Sequence, residues 1–308
     1  MGTVRHPGRI NDSTMLIDVG MRGLAGVTAV YLIQGSERTC LIDAGTHAEA
    51  HHIIEALSEA RCFPPDLIVL THAHHDHAQG VPALQKEAAQ LGQTIEVLAS
   101  YRAVPLLESA GYNEMFDSGP YESIRPVTPL RENDAISLGD VSLRVYDLPG
   151  HSEEHIAILD EQSMFLYVGD AIGLKVSDDV YLPPFMPPSW DAVAFRRSIQ
   201  KIRNLNCRTL CLTHFGCVNG QEVDDILDEA LEETAAWWQL YENKAAWLDE
   251  PDMLFDMLIR EGRLSIPELK TMPMAGPKGL QPPGEVFVRG LTAKLAQGYR
   301  MYRDRHSR

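Results

Sequence analysis

Short apolar runs separated by glycine and polar turns dominate the first half of the chain. TMLIDVG (14–20), VTAVYLIQG (27–35) and RTCLIDAG (38–45) read as three strands, with glycine supplying the turns. Residues 47–61 switch to helical spacing, with Ile53, Ile54, Leu57 and Ala60 on one face. DLIVL (66–70) is a buried-strand pattern that opens into THAHHDHAQG, and a helix is expected from Asp76–His77 to about Leu91. IEVLAS (95–100) is the next strand, followed by a helical stretch to about Gly111; residues 112–126 carry no sustained period and read as loop. Strands return at 141–150, 155–159 and 164–170. A Pro-rich connection, KVSDDVYLPPFMPP (175–188), leads to a helix at about 190–204 and the strand RTLCLTH (208–214).

From 221 onward the pattern is helical. Val223, Ile226, Leu227, Ala230, Leu231, Thr234, Trp237 and Trp238 recur at three- and four-residue spacing with acids opposite, which places Trp237, Trp238 and Tyr241 in a core. The order of elements predicts an α/β sandwich over 1–220 and a helical extension over 221–308. The length of 308 residues suits two domains, or one large domain with an appendage.

Charge narrows the partners. The formal net charge is −16, which argues against bulk nucleic-acid binding, because that needs a broad basic face. The asymmetry is local: residues 221–250 hold ten acids and one Lys, and residues 286–308 hold six Arg or Lys against one Asp. Five scattered cysteines (Cys40, Cys62, Cys207, Cys211, Cys217) read as reduced, buried thiols. No segment approaches ~18 consecutive apolar residues, and the first residues lack a signal-peptide run, so a cytoplasmic protein without a membrane partner is expected.

The chemistry concentrates in THAHHDH (71–77). His72, His74, Asp76 and His77 follow directly on an apolar strand, where a loop can aim alternate side chains at one point. His151 in LPGHS, Asp170 in YVGDA and His214 in LTHFG stand at the ends of three further expected strands. Seven imidazole and carboxylate groups at four strand ends predict a metal site. Such ligands suit zinc first and also accept iron or manganese.

These motifs resemble the metallo-β-lactamase-fold hydrolase superfamily over about residues 14–220. The resemblance implies an αββα sandwich holding two divalent metal ions. It assigns His72, His74 and His151 to one ion and Asp76, His77 and His214 to the other, with Asp170 bridging. Asp43 in LIDAG matches an early Asp that orients a ligand histidine. His75 falls outside the pattern, and His155 reads equally as a supporting or a structural residue. Two ions ~3.5–4 Å apart share a hydroxide and polarise the scissile group, with Asp76 both ligating and orienting that hydroxide.

Within the superfamily, VLAS (97–100), GHSEEH (150–155) and GDAIG (169–173) resemble the thioesterase-like branch of alkylquinolone signalling. Glyoxalase II and the acyl-homoserine-lactone lactonases are more distant. The lactonases carry a Tyr three residues after the bridging Asp, where this chain has Gly173. His74 argues against the flavodiiron branch, which has Glu there. The expected activity is hydrolysis of a small ester, thioester or lactone; a small phosphodiester hydrolase and a metal-stabilised, non-catalytic interaction protein are the alternatives. Tyr181, Phe185 and Trp190, set among prolines, are expected to form a substrate lid. The acidic and basic late segments leave a homodimer open. Two divalent ions bring a formal +4 against −2 from Asp76 and Asp170, so an acidic chain can still carry an electropositive site.

Overall fold

The structure, a computed structural model, describes residues 4–116, 119, 121–175, 180–264 and 284–306. The first sheet uses seven strands: β1 (Gly8–Arg9), β2 (Thr14–Asp18), β3 (Ala29–Gln34), β4 (Thr39–Ile42), β5 (Leu67–Leu70), β6 (Glu96–Ser100) and β7 (Thr128–Leu130), in that spatial order. β1 to β4 pair antiparallel. β4 to β7 run parallel because helices cross between them: α1 (Ala50–Glu59), α2 (His75–Ala78), α3 (Val81–Gln90) and α4 (Val104–Leu107). The second sheet contains β8 (Ala135–Ser137), β9 (Ser142–Asp147), β10 (Ile156–Asp160), β11 (Phe165–Tyr167), β14 (Thr209–Leu212) and β15 (Gly216–Asn219). Between β11 and β14 come a short hairpin of β12 (Leu174–Lys175) and β13 (Tyr181–Leu182), then α5 (Ala192–Leu205). The parallel pairing of β11 with β14 depends on the α5 crossover.

Strand periodicity sorts the side chains into layers. Leu16, Tyr31, Ile33, Ile42 and Val69 face the second sheet, where they meet Leu143, Val145, Ile158 and Tyr167. Their neighbours Ile17, Val30, Leu32, Leu41, Ile68 and Leu70 face α1 and α3. On the outer face of the second sheet, Leu159, Leu166, Leu210 and Leu212 join the largest cluster. The result is the expected αββα sandwich.

The helices after residue 220 are α6 (Gln221–Asn243), α7 (Pro251–Arg260) and α8 (Gly284–His306). Among the described residues they share the sandwich's core: Trp237, Tyr241, Leu254, Phe255 and Tyr299 lie in one cluster with Phe195 and Leu210. Basic α8 meets the end of the acidic segment through Arg300–Asp249 (2.6 Å) and α7 through Arg289–Asp252 (2.8 Å), but these acids are exposed and each pair adds little.

Two expectations need revision. The helix foreseen from Asp76 to Leu91 is two helices, because the chain at Gly80 presses against Ala44. A Cβ at Gly80 would lie 1.8 Å from the Ala44 carbonyl oxygen. Residues 112–126, foreseen as loop, begin inside a 3-10 segment, Ala110–Phe116. Strands β1, β7, β8 and β15 were not foreseen, being two to four residues long and too short to show alternation.

Close packing of α8 gives a test. A Cβ on Gly298 would lie 1.9 Å from the Phe185 carbonyl oxygen. In an open helix Gly→Ala gains about 1 kcal/mol. Here Gly298→Ala is expected to cost about 1–3 kcal/mol through overpacking, read as a lower urea midpoint at unchanged slope. A raised midpoint would refute this contact.

Candidate metal centre

The site forms where strands of both sheets end. Register pairs Ile42 with Val69, so Asp43, one residue past β4, stands beside the segment leaving β5. Its carboxylate accepts the Thr71 amide (2.8 Å), the Thr71 hydroxyl (2.9 Å) and the His77 Nδ1 hydrogen (2.8 Å). The Ala73 amide donates to Glu154 (3.2 Å), and the Asn113 side chain donates to the Ala73 carbonyl (3.0 Å). The turn carrying His72 and His74 is thereby held at both its N–H and its C=O. Asp170 follows Gly169, whose φ is +51° and whose Cβ would sit 2.7 Å from both His155 Nε2 and Thr71 Oγ1. Only glycine lets that turn approach so closely.

The seven foreseen side chains converge. Nε2 of His72 and Nε2 of His151 each lie 3.0 Å from Nδ1 of His74. A tetrahedral ion with bonds of 2.0–2.1 Å has ligand edges of about 3.3 Å, so these three nitrogens are close to a ligating face. Nε2 of His77 lies 3.9 Å from Asp76 Oδ1, and Nε2 of His214 lies 3.5 Å from Asp76 Oδ2. Asp170 stands between the groups: its Oδ1 is 3.4 Å from His77 Nε2 and 3.6 Å from His214 Nε2, while its Oδ2 is 3.5 Å from His151 Nε2.

The outer ring nitrogens fix which atoms face inward. His77 donates through Nδ1 to Asp43, and His214 through Nδ1 to the Val27 carbonyl (2.7 Å). His72 Nδ1 is 3.0 Å from Thr71 Oγ1, which itself donates to Asp43. Nε2 of His77, Nε2 of His214 and Oδ1 of Asp170 are buried without a hydrogen-bond partner. Buried polar atoms left without partners are costly, and divalent cations would satisfy all three, with His77 and His214 giving up their Nε2 protons on ligation. The residues present therefore fit metal ions.

Burial holds His72 and His74 well below the usual imidazole range and His151 down to about 3, helped by the neighbouring imidazoles, so these rings are neutral and able to ligate. Burial acts the same way on His77 and His214, but the facing carboxylates prevail and raise both. Asp76 and Asp170 sit below the carboxylate range because adjacent histidines outweigh the opposing effect of burial. His155 lies against this cluster; its Nε2 accepts the Asp170 amide (3.1 Å), and burial lowers it to about 3.

A cavity of about 280 Å³ opens onto His74, Asp76, Asp170 and His214. Its walls include Met21, Phe116, Leu174, Met186, Phe287 and Leu291. The expected lid is corrected here. Tyr181, Phe185 and Trp190 do not line this cavity; they are fully buried, Phe185 and Trp190 packing at 5.1 Å and Phe185 meeting Tyr241 at 6.0 Å. Large aromatic rings found more partner surface under α6 and α8 than over the cavity. Met186, one residue beyond Phe185, is the part of that segment that reaches the wall. Residues 176–179 of the same segment lie outside the described residues. At Gly173 a Cβ would lie 2.3 Å from the Tyr181 hydroxyl, so a tyrosine side chain has no room there. His75, given no ligand role, lines the cavity and stacks on Phe116 at 5.2 Å. Sequence reasoning missed Glu154 and Asn113, and the walls formed by Phe116 and α8. Of these only Glu154 had a signal, its place inside GHSEEH.

Fold and site together define a metal-binding αββα sandwich. Residues 23–214 match the family model described as the metallo-beta-lactamase superfamily, and the chain belongs to that superfamily. It is 31% identical over 161 residues to acyl-coenzyme A thioesterase MBLAC2 of Gallus gallus, covering 46% of this chain and 57% of that one. It is 30% identical over 146 residues to the hydroxyacylglutathione hydrolase of Pectobacterium carotovorum subsp. carotovorum, covering 46% of each. The chain thus spans about half the length of these curated relatives. Among solved structures, the archaeal superfamily protein ST1585 from Sulfolobus tokodaii matches with a TM-score of 0.61 at 20% identity, covering 94% of this chain and 98% of that one. TTHA1429 from Thermus thermophilus matches at 0.59 and 20% identity, covering 97% and 95%.

The Asp43 contacts predict an effect on metal affinity. Asp43→Asn removes the carboxylate that fixes the His77 ring while keeping its shape. Metal affinity is expected to fall about 10–100-fold, measured by chelator competition on folded protein; an unchanged affinity would show that Asp43 does not orient the ligands.

Proposed function

We propose that this protein is a metal-dependent hydrolase of a small thioester or ester, with two divalent ions held by His72, His74 and His151 on one side, Asp76, His77 and His214 on the other, and Asp170 between. The observation that carries this reading is the pair of facing ligand groups sharing Asp170 at the floor of a largely apolar cavity. Bound divalent ions supply a Lewis acid for the acyl oxygen and an acidified water at neutral pH. Nitrogen and oxygen ligands make zinc the first candidate, with iron or manganese next.

The chain's own residues do the remaining work. Asp76 borders the cavity and presents its carboxylate to the region between His77 and His214, where it orients the attacking water. Met21, Phe116 and Met186 exclude bulk water and bind the apolar part of the substrate. A thiolate of pKa about 8.5 leaves without a strong general acid, which suits a site whose histidines are committed to ligation. Relatives named acyl-coenzyme A thioesterase and hydroxyacylglutathione hydrolase support the same bond class. Arg22 and Lys294 also border the cavity, which favours a substrate bearing negative charge. Five cysteines without a disulfide suit a reducing, cytoplasmic compartment.

Purification with supplemented zinc, iron or manganese is expected to give one to two metal equivalents. The loaded protein should hydrolyse acyl-coenzyme A thioesters or p-nitrophenyl esters. Chelation, or the His72→Ala, His74→Ala double substitution, should lower kcat/KM at least about 1,000-fold. Less than about one equivalent of metal, or full activity in the double variant, overturns the proposal. Turnover of a p-nitrophenyl phosphodiester with none of the acyl substrates reassigns the reaction.

A second prediction concerns the turn at Ala73. Glu154 is buried with its carboxyl pushed upward by desolvation, and it accepts the Ala73 amide. Glu154→Leu leaves that amide unpaired, and a stability loss of about 1–3 kcal/mol is expected, together with weaker metal retention on dialysis. Retained metal at full stability would show that Glu154 does not support the turn.

A further inference from the structure

Helix α8 contributes Phe287, Gly290, Leu291 and Lys294 to the cavity wall, at the three- and four-residue spacing of one helix face. Two glycines within the helix, Gly290 and Gly298, stand in opposite surroundings. Gly298 is pressed against the Phe185 carbonyl, whereas Gly290 is exposed on the cavity wall, and a Cβ there would meet no heavy atom of the described residues within 4 Å. Close packing therefore explains Gly298 and not Gly290. Helix propensity disfavours glycine at an interior position, and none of the described residues touches Gly290 to offset that cost. What the missing side chain provides is open space on the wall of the cavity that holds Asp76 and Asp170.

We propose that Gly290 is a specificity-determining residue: the room left by its missing side chain accommodates the acyl group of the substrate, so α8 sets the acyl length the site accepts. This rests on the hydrolase reading above. The flanking wall is apolar, with Phe287 and Leu291 on α8 and Met21, Phe116 and Met186 across the cavity. An aliphatic or aryl acyl chain is the chemistry that such a wall binds. At about 280 Å³ the cavity is at the small end of ligand pockets, so one added side chain removes a large share of it.

The test compares wild type with Gly290→Ala and Gly290→Leu, using acyl-coenzyme A thioesters from acetyl to dodecanoyl. Calorimetric titration of the metal-free protein with octanoate gives a readout independent of turnover. Gly290→Leu is expected to lower the octanoyl-to-acetyl ratio of kcat/KM at least tenfold and to weaken octanoate binding at least tenfold. Gly290→Ala should shift the same ratio by a smaller factor while raising the melting temperature, so the proposal survives a misfolded leucine variant. An unchanged ratio in folded variants, or wild-type protein that does not bind octanoate, overturns it. If wild type binds octanoate and Gly290→Leu does not, yet no thioester is hydrolysed, the hydrolase reading fails and the subsite stands.

Discussion

The Asp43 carboxylate is the contact on which the site's geometry depends. It lies at the end of β4, fully buried, at a φ of +61° that ordinary residues avoid. From there it receives His77 directly, His72 through the Thr71 hydroxyl, and the Thr71 amide, with Thr213 at 3.4 Å. One carboxylate thus ties together segments leaving β4, β5 and β14. Burying a carboxylate without such partners would cost several kcal/mol or more, so the site needs each of these donors where it is. The same donors turn the inner nitrogens of His72 and His77 toward the centre.

Sheet topology brings the remaining groups there. Parallel strands deliver their carboxyl ends to one edge, and β5, β11 and β14 each stop one to three residues before a ligand. The two sheets are stitched together near that edge. The Ile156 amide donates to the Thr71 carbonyl (2.8 Å), and the Ala29 amide donates to the Thr213 carbonyl (2.8 Å). The ligand loops therefore move with the sandwich and are not loose attachments, which is the condition for holding two ligand groups around a shared carboxylate.

The alternation of short apolar runs made most of the sandwich legible before any coordinates, and the seven converging groups were legible because each histidine or aspartate follows closely on one of four apolar strand patterns. What escaped was set by long-range packing. Phe116 follows no period, and Phe287 and Leu291 reach the cavity only because α8 folds back across more than a hundred residues of chain. The Pro-rich segment shows the limit most plainly. Its aromatics suggested a wall, yet Phe185 turned into the core and Met186 into the cavity, a choice made by partner surface that lies elsewhere in the sequence. Residue type announced chemistry well and announced direction poorly.

The late helices change what the net charge means. Ten acids of the 221–250 segment account for much of the −16, and basic α8 comes back to meet that region while exposing Lys294 to the cavity. The acidic surface and the cavity lining are thus separated within one packed unit. Bulk repulsion of polyanions and local attraction of a small anion are compatible, because screening confines exposed charges to within about 10 Å at ordinary salt. At the floor, the histidines around Asp76 and Asp170 hold both carboxylates below their usual range, so both are ionised. Divalent ions held there would offset those carboxylates, and Arg22 and Lys294 add positive charge on the walls. A small anion would then meet an attractive field only after entering, so α8, which lines the cavity with Phe287 and Leu291, also contributes through Lys294 to the charge that the cavity presents.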